Sequence, residues 1–334
     1  MTTILAIETS CDETAVAVVV DGRKVRSSIV SSQIDLHAKY GGVVPEVAGR
    51  AHVDALTPVV EEAMERAAVT PAGLDAVAAT IGPGLIGSLL VGVSAAKAYS
   101  LAWGVPFVGV NHMEGHLHAA FLEEPNLALP AAVLLVSGGH TLLIGMEKTG
   151  HYRLLGQTID DDAGEAYDKV ARFLGLGYPG GPAIDRVAKE GDPQAVDFPR
   201  GLTGKGNDFS FSGVKTAVVR YVRANPEVPV ADVAASFQCA VVEVLVEKLR
   251  GAAEAIGAKS LCIGGGVAAN SLLRERVKEA AVADGRLAFL PSRAMCTDNA
   301  AMVGATAWYR LEVDGPTSLA VPADPNLRLD FVPG

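Results

Sequence analysis

The chain has 334 residues, of which 49% are hydrophobic, and 28 Lys and Arg against 38 Asp and Glu give it a net charge of −10. This apolar fraction excludes an intrinsically disordered chain, and the length suffices for two hydrophobic cores. The acidic balance argues against a protein that binds nucleic acid through its overall charge alone. The four cysteines occur singly, without a CxxC pair, which favours free thiols in a reducing cytoplasm.

The first half of the chain alternates between strand and helix patterns. β-Branched and apolar runs at 3–7 and 15–20 predict a hairpin whose turn carries the polar residues 8–14, and a third strand is predicted at 24–32. The pattern then predicts a helix, a strand, a helix and a strand, in the order 45–69, 75–81, 88–103 and 107–110.

Residues 85–110 form the most apolar stretch and could be compared with a membrane span. Lys97 interrupts the stretch, and Gly104 and Pro106 end its helical part. We therefore predict a buried helix followed by a strand, with no membrane association. No basic segment followed by an apolar one opens the chain, so a cytoplasmic location is expected.

After residue 130 the same order of elements begins again. Strands are predicted at 131–136, 141–146 and 152–157, followed by helix 231–256, strand 260–263, helix 271–283, strand 287–290 and helix 298–311. In both halves a strand leads through glycines, at 82–84 and 264–266, into a helix that begins near a Ser-Leu-Leu sequence.

This repetition predicts a duplicated α/β domain with a cleft between the two copies. The predicted lobes are residues 1–125, with the C-terminal helix 298–334 packing back on them, and residues 126–297. Two unrelated α/β domains remain an alternative on the pattern alone.

Two histidines four residues apart, His112 and His116, follow a predicted strand and share one face of a helix. Both rings could then reach one metal ion. The H-E-x-x-H pattern of zinc peptidases is absent, because Glu114 lies two positions after the first histidine instead of one. Asp298 is an attractive third ligand, although an ordinary acid in a first helical turn explains it equally well.

Glycine-rich turns form a second group of candidates, at 136–140, 178–182 and 264–270. Backbone N–H groups in such turns can bind phosphate, so a nucleotide site is predicted without a Walker motif. Asp168 and Asp185 flank the Gly180-Gly181 loop and could accept hydrogen bonds from ribose hydroxyls. Acidic neighbours of Cys11 should raise its thiol pKa, which favours a structural cysteine over a nucleophile.

Several of these motifs together resemble the TsaD family, also called Gcp or YgjD, along essentially the full length of the chain. The matching stretches are 7–14, 42–46, 82–85, 111–116, 136–141, 164–169, 177–182, 209–216 and 264–270. The resemblance implies a duplicated actin-like, sugar-kinase-like fold of two lobes around a nucleotide cleft. It also implies transfer of the threonylcarbamoyl group of threonylcarbamoyladenylate to N6 of the adenosine 3′ of the anticodon, in tRNAs that read codons beginning with A, with release of AMP.

The resemblance further implies partners and site residues. The partners are tRNA, a shorter TsaB-like paralogue and a TsaE-like ATPase. His112, His116 and Asp298 match metal ligands for iron(II), with zinc as the alternative, and Asp12 matches an acid near the chemistry. The implied substrate-binding positions are Leu135, Val136, Ser137, Gly138, Gly139, Asp168, Gly181, Asp185 and Asn270.

Two other functions remain open at this point. A metallopeptidase of the His-x-x-x-His type would need Glu114, and a small-molecule kinase of the same fold would need ATP but no tRNA. An acidic enzyme of tRNA should bind it through a local basic surface completed by partners. Candidate positions for that surface are Lys39, Arg50, Arg200, Lys205, Lys215, Arg274, Arg276 and Lys278.

Overall fold

A computed structural model describes residues 1–124, 127–329 and 331 of the chain. The chain divides into two compact units, Met1–Pro125 with Thr297–Leu329 and Asn126–Cys296 with Asp330–Gly334. Each unit contains one five-stranded sheet covered by helices.

The strands are β1 (Thr3–Glu8), β2 (Glu13–Val20), β3 (Lys24–Ser32), β4 (Ala76–Gly82), β5 (Phe107–Asn111), β6 (Ala131–Val136), β7 (Thr141–Lys148), β8 (His151–Gln157), β9 (Ser260–Gly264) and β10 (Leu287–Phe289). The α-helices are α1 (Ile34–Ala38), α2 (Pro45–Ala67), α3 (Ile86–Trp103), α4 (His112–Glu123), α5 (Ala163–Phe173), α6 (Gly180–Val187), α7 (Ser212–Ala224), α8 (Val230–Ala255), α9 (Ser271–Ala283), α10 (Arg293–Cys296) and α11 (Ala300–Asp314).

The two sheets have the same topology. The first has the order β3-β2-β1-β4-β5, and the second, read from its other edge, has the order β8-β7-β6-β9-β10. In both sheets the three strands at one edge pair antiparallel with one another. On the other side, β4 pairs parallel to β1 and β5 parallel to β4, and in the second sheet β9 pairs parallel to β6 and β10 parallel to β9. The predicted duplication of one α/β fold is therefore confirmed, and the alternative of two unrelated domains is wrong.

The central strands of both sheets place the sequence motifs at one edge of each sheet, where the strands end. Every residue of β1 and of β6 is buried, as expected for strands with helices on both faces. Parallel strands place their carboxyl ends at one edge of a sheet, where ligands usually bind. In the first unit β1, β4 and β5 end at this edge, followed by Thr9, Pro83 and His112. In the second unit β6 and β9 end there, followed by Ser137 and Gly265.

The apolar helix α3 is part of the first unit. Leu89, Val93 and Ala96 are buried against the sheet, although α3 is also long and apolar enough to pass as a membrane span by length and composition. About a third of that window is buried. The helix predicted for this stretch is therefore present, but it is buried along one face and not throughout, because Ile86, Leu90 and Leu101 are exposed.

Several sequence predictions need correction. The C-terminal helix predicted for 298–334 is α11, which covers Ala300–Asp314 only, because Gly315 and Pro316 follow it. The Gly180-Gly181 segment is the first turn of α6, not a loop. Residues 330 and 332–334 lie outside the described residues.

Candidate functional site

Two capped helix starts carry the predicted metal ligands in the first unit. The side chain of Asn111 accepts hydrogen bonds from the backbone N–H of Met113 (2.9 Å) and Glu114 (3.3 Å), so α4 begins directly at the end of β5. Asn299 caps α11 by accepting from Met302 N–H at 3.0 Å. Asp298 directly precedes this cap, so the segment Thr297-Asp298-Asn299 leads into α11, and the helix itself begins two residues later than the sequence predicts.

His112, His116 and Asp298 converge as predicted. The Oδ1 atom of Asp298 is 3.2 Å from Nε2 of His116 and 3.5 Å from Nε2 of His112, and the ligand atoms lie within 4.8 Å of one another. Ligands about 2.1 Å from a tetrahedral ion are roughly 3.4 Å apart, so two of the separations already match a bound ion. Two imidazoles and one carboxylate are a donor set suited to iron(II) or zinc. The residues present therefore fit a divalent metal.

Behind His112 lies Glu8, which the sequence analysis did not single out. Its fully buried carboxylate accepts hydrogen bonds from Ser10 N–H and from the Thr80 hydroxyl, both at 2.5 Å, and lies 3.1 Å from Nδ1 of His112. Burial would raise the pKa of Glu8, but the His112 imidazole holds it below its usual value. Burial would likewise lower the pKa of His112, but Asp298 and Glu8 raise it to about 9. Glu8 thus accepts a hydrogen bond from Nδ1–H of His112 and orients the ring so that Nε2 is directed at Asp298.

The other polar side chains of α4 do not join this group. The Glu114 carboxylate accepts a hydrogen bond from Nε of Arg310 at 2.8 Å. His118 donates from Nδ1 to the Glu114 carbonyl at 3.2 Å. The ion pair with Arg310 gives Glu114 a structural partner.

The turn between β1 and β2 carries Asp12 and is held from two helices. The Cys11 carbonyl accepts hydrogen bonds from Nε2 of His52 on α2 (3.0 Å) and from the Ser88 hydroxyl on α3 (3.3 Å). Because a carbonyl only accepts, His52 carries its proton on Nε2, and its Nδ1 accepts from the Thr14 hydroxyl at 2.7 Å. These contacts fix the backbone that presents Asp12.

Burial raises the pKa values of two side chains in this turn, Asp12 and Cys11. Burial raises the pKa of Asp12, and the Asp298 carboxylate raises it further, against a hydrogen bond from Cys11 that lowers it. Burial also raises the pKa of the Cys11 thiol far above its usual value, with Asp12 and Asp298 adding to the effect. The prediction that Cys11 is not a thiolate nucleophile agrees with this, although burial is the larger cause.

In the second unit, the end of β6 forms the predicted glycine turn. Leu135 and Val136 are buried strand residues, and the turn closes with Ser137 N–H donating to the His140 carbonyl at 2.8 Å. Gly138 and Gly139 are exposed, and a Cβ added at either would meet no atom within 4 Å. The turn is therefore open to a ligand.

Two other glycine segments contact elements near this turn. One packs on the end of β6, and the other binds Asp168 on α5. A Cβ at Gly265, whose φ is +83°, would lie 2.5 Å from the Val136 carbonyl, so the turn after β9 packs directly on the end of β6. Gly180 N–H donates to the Asp168 carboxylate at 2.7 Å, which brings Asp168 to the start of α6 beside Gly181. The structure thus associates Asp168 with Gly181, as predicted.

Asp185 and Asn270 lie together but are used within the protein. Asp185 Oδ1 accepts from the Ser271 hydroxyl at 2.6 Å and from its N–H at 3.1 Å. Asn270 caps α9 by accepting from Leu273 N–H at 3.0 Å and donates to Gln238 at 2.7 Å. Asp185 lies within α6, one helical turn after Gly181, and joins α6 to α9.

The chain matches a known protein family in sequence along most of its length. Residues 24–305 match the family model described as "TsaD: tRNA N6-adenosine threonylcarbamoyltransferase". The chain is 57% identical to the tRNA N6-adenosine threonylcarbamoyltransferase of Anaeromyxobacter dehalogenans, over 98% of this chain and 100% of the relative. It is 52% identical to the protein of that name from Moorella thermoacetica, over 98% of each chain.

Solved structures with low sequence identity share the fold. Component A of the Acidaminococcus fermentans (R)-2-hydroxyglutaryl-CoA dehydratase superposes with a TM-score of 0.58 at 14% identity, covering 93% of this chain and 100% of that one. A full-length HypF structure, in the phosphate- and nucleotide-bound form, gives a TM-score of 0.63 at 13% identity, covering 95% of this chain and 47% of that one. Together with the two sheets of equal topology, these matches confirm the duplicated actin-like fold class.

Proposed function

The chain belongs to the TsaD family of tRNA N6-adenosine threonylcarbamoyltransferases, and we propose that it takes its threonylcarbamoyl group from threonylcarbamoyladenylate. It is a transferase that modifies tRNA at the N6 amine of an adenosine. The acceptor we propose is the adenosine 3′ of the anticodon in tRNAs that read codons beginning with A, and AMP is released. The observation that supports this most is the family match over nearly the whole chain, together with the His112, His116 and Asp298 cluster.

Membership of this family decides against the two alternative functions. A peptidase of the His-x-x-x-His type would need Glu114 as a base, but Arg310 occupies its carboxylate. A small-molecule kinase would be expected to resemble kinases in sequence, whereas the curated relatives with 51–57% identity are tRNA-modifying transferases.

The ligand cluster defines the proposed cofactor. His112 and His116 through Nε2, and Asp298 through Oδ1, would hold one divalent metal ion, with iron(II) proposed and zinc as the alternative. When bound, such an ion supplies a Lewis acid for an anionic oxygen of the substrate. The role of the chain itself is to present these three atoms on two capped helix starts, with Glu8 orienting His112.

The reaction needs positioning, anion binding and a proton acceptor. The N6 amine attacks the carbamoyl carbon of the donor, the bond from that carbon to the phosphate oxygen breaks, and the electron pair leaves with AMP. Holding the two reactants in place can contribute roughly 7–11 kcal/mol. We propose that the backbone N–H groups at Gly138 and Gly139 bind the phosphate and that Asp12 accepts the amine proton. The burial that raises the pKa of Asp12 makes it a stronger base than an exposed aspartate.

Further binding positions and partners complete this proposal. Leu135 to Gly139, Asp168, Gly181, Asp185 and Asn270 are proposed to line the adenylate site. A TsaB-like paralogue and a TsaE-like ATPase are proposed as protein partners, in the cytoplasm and without membrane attachment.

The activity is tested by mass analysis of tRNA nucleosides. After incubation of the full chain with threonylcarbamoyladenylate, unmodified tRNA and the two partner proteins, we expect a threonylcarbamoyl-adenosine product and AMP in equal amounts. A reaction without this chain is the control. Absence of the product, with the partners shown to be active, would contradict the proposed activity.

The glycine turn allows a sharper test of the adenylate site. Gly139→Val should weaken adenylate binding about 10-fold or more, because a side chain would occupy the space that a phosphate needs next to the N–H groups. The fold should persist, since a Cβ at Gly139 meets no atom within 4 Å. Calorimetric titration with AMP or a stable adenylate analogue measures the change.

Gly251→Val on α8 is the matched control, because its Cβ also meets no atom within 4 Å. We expect this variant to bind the adenylate as the parent does. Equal affinities of the Gly139 and Gly251 variants would remove the turn from the proposed site.

A further inference from the structure

The motif at 209–216 has no role in the site described above, although it leads into α7. This helix has the sequence SGVKTAVVRYVRA, which contains three basic residues and no acidic one. Of the three, Lys215 is bound to Asp161, whereas Arg220 and Arg223 are exposed and, within the described part of the chain, take part in no recorded ion pair. On a chain with a net charge of −10, such a helix is a local positive surface.

A groove of about 760 Å³ runs along this helix. Its lining includes Gly213, Ala217, Arg220 and Tyr221, and among the described residues it contains no carboxylate. Because Gly213 and Ala217 are small, the backbone of a ligand can approach α7 closely there. Arg220 lines the groove, whereas Arg223 does not. The two are three residues apart, so Arg223 is a neighbour of Arg220 on the surface of α7, beside the groove.

A second groove of the same unit, between α8 and α9, is different in charge. It is lined by five acids, Glu243, Glu247, Glu254, Glu279 and Asp284. Its three arginines are each paired with an acid, as in the Arg250–Asp284 pair. A polyanion would be repelled there but not along α7.

The groove along α7 is also connected to the proposed adenylate turn. Asp160 accepts hydrogen bonds from Phe211 N–H at 2.8 Å and from Ser212 N–H at 3.3 Å, which ties the start of α7 to the segment before α5. This segment continues directly into α5, whose second residue, Gly164, donates from its N–H to the Ser137 carbonyl at 3.2 Å. The segment with the first turn of α5 therefore contacts both α7 and the turn that carries Gly138.

We propose that the α7 groove, with Arg220 and Arg223, is a docking surface for the phosphodiester backbone of the tRNA substrate. This inference rests on the proposed tRNA-modifying activity. It also replaces part of the surface predicted from sequence, because Arg200 and Arg276 are neutralised by acids and Arg274 donates to backbone carbonyls. Arginine binds phosphate oxygens through two N–H groups and releases the counterions that surround the RNA.

The test is a double variant, Arg220→Gln with Arg223→Gln, in the full-length chain. We expect tRNA affinity, measured by fluorescence anisotropy at low salt, to fall about 10-fold, and the slope of log affinity against log salt to decrease by roughly two. In the reaction reconstituted with the partner proteins, KM for tRNA should rise while kcat is retained. Because both side chains are exposed, the midpoint of thermal unfolding should not change.

The control is Lys148→Gln with Lys259→Gln, which also removes two exposed positive charges. Both lysines lie at the end of the second sheet where β6 begins, away from the Ser137 turn at the other end of β6. If this variant loses tRNA affinity as strongly as the α7 variant, the effect is one of total charge and the proposal is wrong. Unchanged tRNA affinity and unchanged KM for tRNA in the α7 variant would also overturn the proposal. If the α7 variant instead lost binding of an acidic protein partner, the groove would be assigned to that partner and the proposal would be wrong. Parent enzyme that forms no product at all would instead refute the proposed activity.

Discussion

Replacing either histidine of the predicted metal cluster by alanine is expected to remove most of the bound metal. His112→Ala and His116→Ala each delete one of three ligands, and the remaining imidazole and carboxylate cannot form a closed site. The loss should exceed the roughly 10- to 100-fold decrease in affinity that follows when a residue behind a metal ligand is removed. Elemental analysis of the purified chain, with metal per chain as the readout, measures it, and the transfer rate should fall in parallel.

Glu114→Gln provides the matched control because it changes a buried acid on the same helix. Glu114 lies between the two histidines in sequence, but its carboxylate binds Arg310, so metal content should stay at the parent level. Full metal occupancy in both histidine variants would refute the assignment of the ligands. Metal-dependent peptide cleavage that disappears with Glu114→Gln would restore the peptidase hypothesis.

The sequence was sufficient for the two histidines and insufficient for the third ligand. A separation of four residues places two side chains on one face of any helix, so their convergence needs no tertiary information. Asp298 is 182 residues from His116, and nothing local distinguishes it from the other acids of the chain. The sequence pattern left Asp298 as one of two equal readings, the resemblance to a family favoured it as a ligand, and the fold brings the two segments together.

Helices α6 and α7 show where pattern reasoning was incomplete. The sequence of α6 begins with Gly-Gly-Pro, which is typical of a turn, and α7 follows an alternating Phe-Ser-Phe-Ser segment that is typical of a strand. Tertiary contacts override these local signals: the Asp168 carboxylate accepts from Gly180 N–H, and Asp160 accepts from the N–H groups at the start of α7. The strands, in contrast, were predicted closely, because buried apolar runs bounded by turns carry a strong local signal.

Glu8 could not be identified from its position in the sequence. It follows an apolar strand and precedes a polar turn, as many surface acids do, and its partners Thr80 and His112 lie 72 and 104 residues away. A buried carboxylate without a neighbouring Lys or Arg among the described residues requires compensation of its charge. That compensation comes from the imidazole of His112 and, in the proposed metal site, from the divalent ion that His112 would hold.

Glu8→Gln is therefore expected to lower metal affinity by roughly 10- to 100-fold. The glutamine preserves the shape and can still accept from Ser10 N–H, but it removes the charge that favours electron donation from Nε2 of His112. Ser10→Ala is the control, because the Ser10 hydroxyl is the other group near His112 Nδ1, at 3.2 Å, and carries no charge. Competition with a chelator gives the affinities, and thermal unfolding in excess chelator reports the stability of the metal-free chain. If Glu8→Gln lowered only that stability and left the metal affinity unchanged, Glu8 would be a structural residue, and the orientation of His112 would depend on the helix start alone.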